Sequence, residues 1–261
     1  MSGSVGSSRG EAVKLPLKSP IEYKAAWEIE LIRRACQIVS AALSRLREMV
    51  RPGVTTRELD WAAEEAIRAQ GASPAFKGYR DYPYSLCTSV NEEVVHGLPS
   101  ERRLESGDIV SLDLGAVVDG YYGDGAVTVP VGEVSPDVFR LLQVTEEALE
   151  RGIAVVQPGN RVGDISHTIQ ECVEQAGYSV VRTFVGHGIG KTLHEEPQVP
   201  NFGAPGCGVV LKPGMTLAIE PMVNAGGPEV MVLDDRWTAV TRDGTLCERL
   251  PVSSLSSHVK W

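Results

Sequence analysis

The residues best able to do chemistry in this 261-residue chain are three histidines and a group of carboxylates. His187 and His194 lie in FVGHGIGKTLHEEP, where neighbouring glycines allow the backbone to approach closely, and His96 closes SVNEEVVHGLP. Asp113 and Asp124 enclose the segment LGAVVDGYYG. Imidazole nitrogens combined with several carboxylates are a ligand set suited to divalent Mn, Fe, Co or Zn. A lone histidine is more often a structural residue whose imidazole is hydrogen-bonded within the protein, so the prediction of a metal site needs further support.

A predicted hairpin brings the two aspartates together. The pair Asp119-Gly120, flanked by apolar residues, is a strong signal for a two-residue turn. The resulting register places Gly115 opposite Asp124, which makes Asp113 and Asp124 diagonal cross-strand neighbours about 7–8 Å apart. Two like charges on a partly buried face repel each other, and a metal ion would neutralise them. A solvated hairpin face with two harmless acids is the alternative, and the hairpin alone does not decide.

An internal repeat supplies another acidic strand. Residues 51–73 and 157–179 align without a gap at an offset of 106, with identical Pro, Gly, Glu, Gly and Ser residues. Further along the chain, the segments SGDIVSLDLG and PGMTLAIEPM align at an offset of 107, one residue more than before. This alignment matches Asp113 with Glu220. We interpret the repeat as a duplication, and both later segments as alternating, half-buried strands. Two α–α–β halves related by a pseudo-twofold axis would bring Asp113 and Glu220 to equivalent places in a shared cleft.

Two helices are predicted to open each half. From Ile32 to Val50, apolar residues recur at three- and four-residue spacing, which is typical of one face of a long amphipathic helix. Pro52-Gly53 stops this helix. Thr55 and Glu58 then form a capping-box pattern that opens a second helix, which runs to Gly71.

Composition excludes several classes of protein. A hydrophobic share of 43% is enough to build a core and too high for a disordered chain. No long uncharged apolar run exists, so no membrane span is expected, and the Ser/Gly-rich start does not resemble a secretory signal. A net charge of −9 argues against a nucleic-acid-binding surface over the whole protein. Five scattered cysteines argue against a disulfide framework, so a reduced, cytoplasmic protein is expected.

A set of motifs resembles those of the type I methionine aminopeptidases. They are VNEEVVHG, GDIVSLDLG, YYGDGAV, GHGIGKTLHEEPQVPN and GMTLAIEPMV, in this order, within a stretch from about Ile29 to Leu246. The resemblance implies an α/β (α+β) pita-bread fold, in which two pseudosymmetric α–α–β halves surround a curved, mainly antiparallel sheet. It also implies a metalloprotease, a hydrolase that removes the initiator methionine from nascent polypeptides. The expected partners are the N-terminal Met of nascent peptides and, transiently, the ribosome. No membrane or specific nucleic acid is expected, and the chain is expected to be a monomer.

The resemblance also assigns roles to the residues that match the family's motifs. It implies two divalent metal ions per chain, Co, Mn, Fe or Zn, held by Asp113, Asp124, His187 and Glu220. It implies three catalytic residues, His96, His194 and Glu220. It implies that the unbranched methionine side chain is bound by Tyr79, Tyr82, Cys87, Leu193 and Trp237, with Leu193 in the place of a more usual aromatic residue.

The resemblance breaks down at the C-terminus. The family's last strand supplies a Glu as the fifth protein ligand, but here that position holds Pro251 and the next holds Val252. Glu248 comes three residues early, and an odd displacement turns a strand side chain to the opposite face. We therefore expect the closing strand to be absent or irregular, the second metal site to be weak and the activity to be reduced. An altered reading frame or a truncated gene explains such an abrupt change better than harmless divergence.

The domain organisation and two other functions complete the set of expectations. We expect a flexible arm over residues 1–20, a single domain over residues 21–250 and an irregular tail over residues 251–261. An X-Pro aminopeptidase or prolidase is an alternative function, although such enzymes usually carry a large extra N-terminal domain. A non-catalytic pita-bread binding protein is another, but such proteins have usually lost several ligands, whereas this chain keeps four.

Overall fold

The computed structural model of this chain describes residues 20–249 and the backbone of residues 252–253. The arm predicted over residues 1–20 lies outside the described residues except for Pro20, and so does most of the tail predicted over residues 251–261. Within the described part, helices and strands alternate in two similar halves.

Helices occur as two pairs, one in each half. The first pair is α1 (Ala26–Met49) and α2 (Thr56–Ala69), and the second is α3 (Pro136–Ala154) and α4 (Val162–Gln175). Helices α2 and α4 both have 14 residues and lie at the predicted offset of 106, so the internal repeat is confirmed. None of the helices in the described residues is long and apolar enough to span a lipid bilayer.

The turns between paired helices also repeat. Gly53 and Gly159 each follow a proline and adopt left-handed φ values of 92° and 94°, which glycine reaches without a steric penalty. The predicted capping box is confirmed at the start of α2. The Glu58 N–H donates to Thr55 Oγ1 at 3.1 Å, and the Thr55 N–H donates to Glu58 Oε2 at 2.7 Å. These contacts satisfy N–H groups that the first helical turn leaves unpaired.

Besides one 3-10 turn at Tyr79–Asp81, the rest of the regular structure in the described residues consists of strands. In chain order they are β1 (Ser73–Pro74), β2 (Leu86–Val90), β3 (Glu93–Val95), β4 (Ile109–Val118), β5 (Tyr121–Pro130), β6 (Ser179–Val180), β7 (Gly186–Gly188), β8 (Glu195–Val199), β9 (Leu217–Ile219), β10 (Met222–Asn224), β11 (Val230–Val232), β12 (Ala239–Thr241), β13 (Cys247–Arg249) and β14 (Val252–Ser253). Within the described chain the largest sheet has the order β1-β4-β5-β14-β9-β7-β8, with β2 also paired to β4. Smaller sheets follow the orders β13-β10-β6 and β11-β12-β3. The pairings are antiparallel, as expected for this fold class.

The hairpin of β4 and β5 has the predicted register. Gly115 pairs with Asp124, and the two-residue loop Asp119-Gly120 adopts left-handed φ values of 50° and 82°. Positive φ at both loop residues is the requirement of the turn type that matches strand twist in hairpins. The register therefore places Asp113 and Asp124 on the same face, two residues apart in strand pairing.

Strand β4 is buried on both faces, which corrects the expectation of a half-buried strand. Leu112 and Leu114 pack into the core under α1 and α2, and Ser111 and Asp113 on the other face are also buried. Asp113 lines a cavity on that second face, where the Arg249 side chain of β13 contacts it. The sequence pattern of alternating polar residues here marks a polar interior and not a solvated surface.

The C-terminal segment was expected to lack the closing strand or to form it irregularly, and it forms two short strands of three and two residues. Strand β13 pairs with β10, and Val252 of β14 pairs with both Gly125 of β5 and Ile219 of β9. Strands pair through their backbone groups, so a chain without the expected Glu side chain can still form a strand between β5 and β9. The end of the second half thus completes the sheet that the first half begins.

Candidate metal centre and substrate cavity

One cavity of about 310 Å³ contains all the site residues predicted from the sequence. They are Tyr79, Tyr82, Cys87, His96, Asp113, Asp124, His187, Leu193, His194, Glu220 and Trp237. The cavity lies between the halves: β4 and β5 bring the two aspartates, whereas β7 and the end of β9 bring His187 and Glu220. The structure therefore gathers these residues at one place, and their individual roles stay predictions.

Three of the predicted metal ligands form a compact donor cluster. Ligand atoms of Asp124, His187 and Glu220 all lie within 4.8 Å of one another, and all three residues are buried. His187 Nε2 lies 3.7 Å from Asp124 Oδ2 and 3.4 Å from Glu220 Oε1. His187 Nδ1 is 2.8 Å from the Gly188 carbonyl, which can only accept, so Nδ1 carries a proton and Nε2 faces the carboxylates.

The charges around this cluster are strongly coupled. Burial alone would lower the pKa of His187, but its contacts with Asp124 and Glu220 outweigh burial and raise it to about 10. Burial alone would raise the pKa of Glu220, but Arg249 and then His187 outweigh it and lower it to about 2. A metal ion at these atoms would compete with the proton on His187, because a histidine ligand must give up its proton to bind.

Arg249 is a site residue that the sequence analysis did not identify. Its side chain is buried in the cavity, where Nη1 donates to Asp113 Oδ2 and Nη2 donates to Glu220 Oε2 at 3.1 Å. Asp113 lies outside the compact donor cluster, and its buried Oδ1 has no hydrogen-bond partner. Asp113 and Glu220, which the repeat places at equivalent positions, thus share one guanidinium.

The two predicted catalytic histidines, His96 and His194, both line the cavity. The His194 ring centroid lies 4.3 Å from that of His187, and the Tyr79 hydroxyl lies 2.8 Å from His194 Nδ1. His96 packs edge-on against Trp237, with ring centroids 6.3 Å apart. The pKa values of His96 and His194 are both lowered to about 4. Burial is the larger cause for each, and the second cause is the positive charge of Arg249 for His96 and of His187 for His194. At neutral pH both imidazoles are therefore uncharged, and each can donate one hydrogen bond and accept another.

An apolar recess adjoins the donor cluster. Tyr82 and Trp237 pack edge-on with ring centroids 5.0 Å apart, and the Tyr82 hydroxyl donates to the Leu86 carbonyl at 3.0 Å. Cys87 and Leu193 are buried in the same group of side chains. Because the Tyr82 hydroxyl is held by the backbone, its ring presents a fixed apolar wall.

Other cavity residues were also missed from the sequence. Phe76, Phe184 and Met222 line the same cavity, and nothing in their local sequence separates them from ordinary core residues. The position of Arg249 could have been predicted from strand alternation. The alternation that turns Glu248 away from the site turns its neighbour Arg249 towards it.

Comparison with known proteins agrees with this arrangement. Residues 30–242 match the model of metallopeptidase family M24. Methionine aminopeptidase 1 of Bacillus subtilis is 52% identical over 224 residues, which cover 86% of this chain and 90% of that protein. The crystal structure of methionine aminopeptidase from Thermotoga maritima superposes with a TM-score of 0.89 at 49% identity, covering 90% of this chain and 94% of that one.

A prolidase is a more distant structural relative. The prolidase from Pyrococcus furiosus superposes with a TM-score of 0.72 at 26% identity, and the match covers 88% of this chain but 61% of that one. The two methionine aminopeptidases are matched along most of both chains and at about twice this identity. The pita-bread fold and the resemblance inferred from the motifs are thus confirmed. The chain belongs to metallopeptidase family M24 and, within it, to the methionine aminopeptidases.

Proposed function

We propose that this protein removes the N-terminal methionine from new polypeptides by metal-dependent hydrolysis. The observation that carries the proposal is the opening of the Asp124–His187–Glu220 donor cluster onto an apolar recess of aromatic and aliphatic side chains. Such an arrangement places a reactive centre next to a pocket for an unbranched apolar side chain. The comparisons support the same activity, because the relatives at about 50% identity are named methionine aminopeptidases.

The residues of the donor cluster fit one divalent ion. They come from β5, β7 and the residue after β9, they are buried, and they offer one imidazole nitrogen and two carboxylates, a set that suits Mn, Fe, Co or Zn. A divalent ion bound there lowers the pKa of water and polarises a carbonyl oxygen. A second ion between Asp113 and Asp124 does not fit in the same way, since the Arg249 guanidinium already engages Asp113.

The remaining polar residues have roles in binding and proton transfer in this proposal. Glu220 accepts a proton from the water that attacks the scissile carbonyl carbon and passes it to the nitrogen that leaves as the C–N bond breaks, because its carboxylate belongs to the donor cluster. His194 donates a hydrogen bond to the scissile carbonyl oxygen and stabilises the charge that develops there. His96, on the Trp237 side of the cavity, hydrogen-bonds near the scissile nitrogen.

The apolar recess gives the specificity for methionine. Tyr82 and Trp237 form two aromatic walls at fixed angle, and Cys87 and Leu193 close the recess. A thioether makes favourable contacts with aromatic rings and adapts to an irregular pocket. Tyr79, at the edge of the recess, links this pocket to His194.

A peptide assay tests the function. The dialysed chain, supplied with Mn, Co or Fe, should release Met from Met-Ala-Ser and leave Ala-Pro-Ala intact. Asp124→Asn should lower the rate by roughly 10- to 100-fold or more, since even groups that only support metal ligands contribute this much. Asp137→Asn, at an exposed position on α3, is the matched control and should keep the full rate.

The same assay separates the alternatives. Preferred cleavage of Ala-Pro-Ala would favour the prolidase-type function. The comparisons support that function less, because the prolidase is less similar to this chain than the methionine aminopeptidases are. No cleavage of either peptide with any of the metals would favour a non-catalytic binding protein.

A further inference from the structure

The Arg249 side chain lies between Asp113 and Glu220, two of the residues that the resemblance implies as metal ligands. It is 5% exposed and bridges Asp113 and Glu220, which come from different halves of the molecule. Its guanidinium is charged at any pH that the folded protein tolerates. A permanent monovalent cation therefore stands beside the donor cluster of Asp124, His187 and Glu220.

The strand register fixes Arg249 in this position. Arg249 pairs with Met222 of β10, and the Thr128 hydroxyl donates to the Arg249 carbonyl at 2.9 Å. The preceding residue, Glu248, faces the other way and reaches Thr145 of α3, as strand alternation requires. The backbone of Arg249 is thus held from two sides, and its side chain enters the cavity as part of the sheet.

Charge balance explains why a cation is needed there. Three carboxylates, those of Asp113, Asp124 and Glu220, are buried around one cavity. Buried like charges are stable only when opposite charges or metal ions compensate them. One divalent ion at the donor cluster and one guanidinium at Asp113 together balance these three negative charges, without a second metal ion.

We propose that Arg249 replaces one of the two metal ions, so that this protein binds a single divalent ion through Asp124, His187 and Glu220. Arg249 holds Asp113 through Oδ2 by an ion pair, and the positive charge of its guanidinium opposes a second divalent ion at the remaining oxygen, Oδ1. The inference rests on the proposed function only for the choice of a divalent ion.

Native mass spectrometry and calorimetric titration with Mn²⁺ test this inference on the full chain after removal of metal by chelation. The unmodified protein should bind one Mn²⁺ tightly. Arg249→Gln removes the cation and should allow a second Mn²⁺ to bind roughly tenfold more tightly or better than in the unmodified protein, since ligand-supporting groups change affinity on this scale. Arg242→Gln, at an exposed arginine of the same half, should still bind one ion.

A further variant keeps the inference testable should Arg249→Gln fail to fold. Asp113→Asn should still bind one Mn²⁺ with nearly unchanged affinity, because Asp113 does not hold the retained ion. Two tightly bound ions in the unmodified protein would overturn the inference, as would loss of the single ion in Asp113→Asn or an Arg249→Gln protein that still binds only one. One bound ion without cleavage of Met-Ala-Ser would overturn the proposed function alone, and two bound ions with cleavage would overturn this inference alone.

Discussion

A hydrogen bond between Tyr79 and His194 joins the two halves across the cavity wall. Tyr79 lies in a 3-10 turn at Tyr79–Asp81, in the first half, and His194 lies in the loop before β8. When the Tyr79 hydroxyl donates to His194 Nδ1, the ring proton must sit on Nε2. An N–H at Nε2 is the form that can donate to a carbonyl oxygen, so the role proposed for His194 predicts that Tyr79 positions it.

Removing the Tyr79 hydroxyl tests this role. Tyr79→Phe should lower kcat by roughly two- to tenfold, because one hydrogen bond contributes about 0.5–1.5 kcal/mol, and should change KM little. Steady-state kinetics on Met-Ala-Ser measures both constants. Tyr84→Phe is the control, since Tyr84 lies nearby but does not line the cavity. An unchanged kcat in Tyr79→Phe, or an equal loss in both variants, would contradict the positioning role.

At the scale of single residues, motifs predicted the cavity well and Arg249 not at all. All the residues assigned through the family's motifs line the cavity, because those motifs carry both residue type and spacing. Arg249 follows the last matching residues, in a segment for which the family pattern gave no guidance. Only the alternation of the strand, applied to the residue after Glu248, could have predicted its direction.

Helix α1 packs directly against the hairpin that carries both aspartates. A Cβ atom added at Gly123 of β5 would lie 2.5 Å from the Cys36 backbone nitrogen and 2.6 Å from the Ala35 carbonyl carbon. Both are helix backbone atoms, which cannot move without moving α1. Gly123 is next to Asp124, so the close packing of helix on strand also fixes the position of a donor in the cluster.

Adding one methyl group at Gly123 tests how far this packing supports the fold. Gly123→Ala should destabilise the protein by about 1–3 kcal/mol or more, the usual cost of overpacking a core. Thermal unfolding followed by circular dichroism measures the effect. Gly120→Ala, in the hairpin loop, meets no atom within 4 Å and carries only the strain of its positive φ, so its cost should be about 1 kcal/mol. Equal losses in the two variants would show that α1 adjusts easily.

Short sequence patterns predicted the helices and the β4–β5 hairpin well. They missed the features that depend on pairing between segments far apart in the sequence. The hairpin register, the helix pairs and the capping box followed from turn residues and spacing that act within a few positions. Strand β14 forms because β5 and β9, which are far apart in sequence, leave room for a strand between them. The sequence around Pro251 alone could not predict this pairing. On the second face of β4, Asp113 likewise contacts Arg249 of β13, which is far away in sequence.

At the scale of the whole molecule, the site exists only because the halves are joined. Each half supplies two of the predicted ligands, and β14 completes the largest sheet between strands of both halves. The core follows the same division, with one main cluster of buried side chains under each helix pair. Within the described residues neither half forms this sheet alone, and the single domain expected over residues 21–250 stays a prediction.

The most direct test is the rate of Met-Ala-Ser hydrolysis as Mn²⁺ is added stepwise to the metal-free protein. A single buried donor cluster beside Arg249 predicts a rate that rises in proportion to Mn²⁺ and levels off at one equivalent per chain. A rate that keeps rising to two equivalents, or no hydrolysis at any amount of Mn²⁺, Co²⁺ or Fe²⁺, would contradict it.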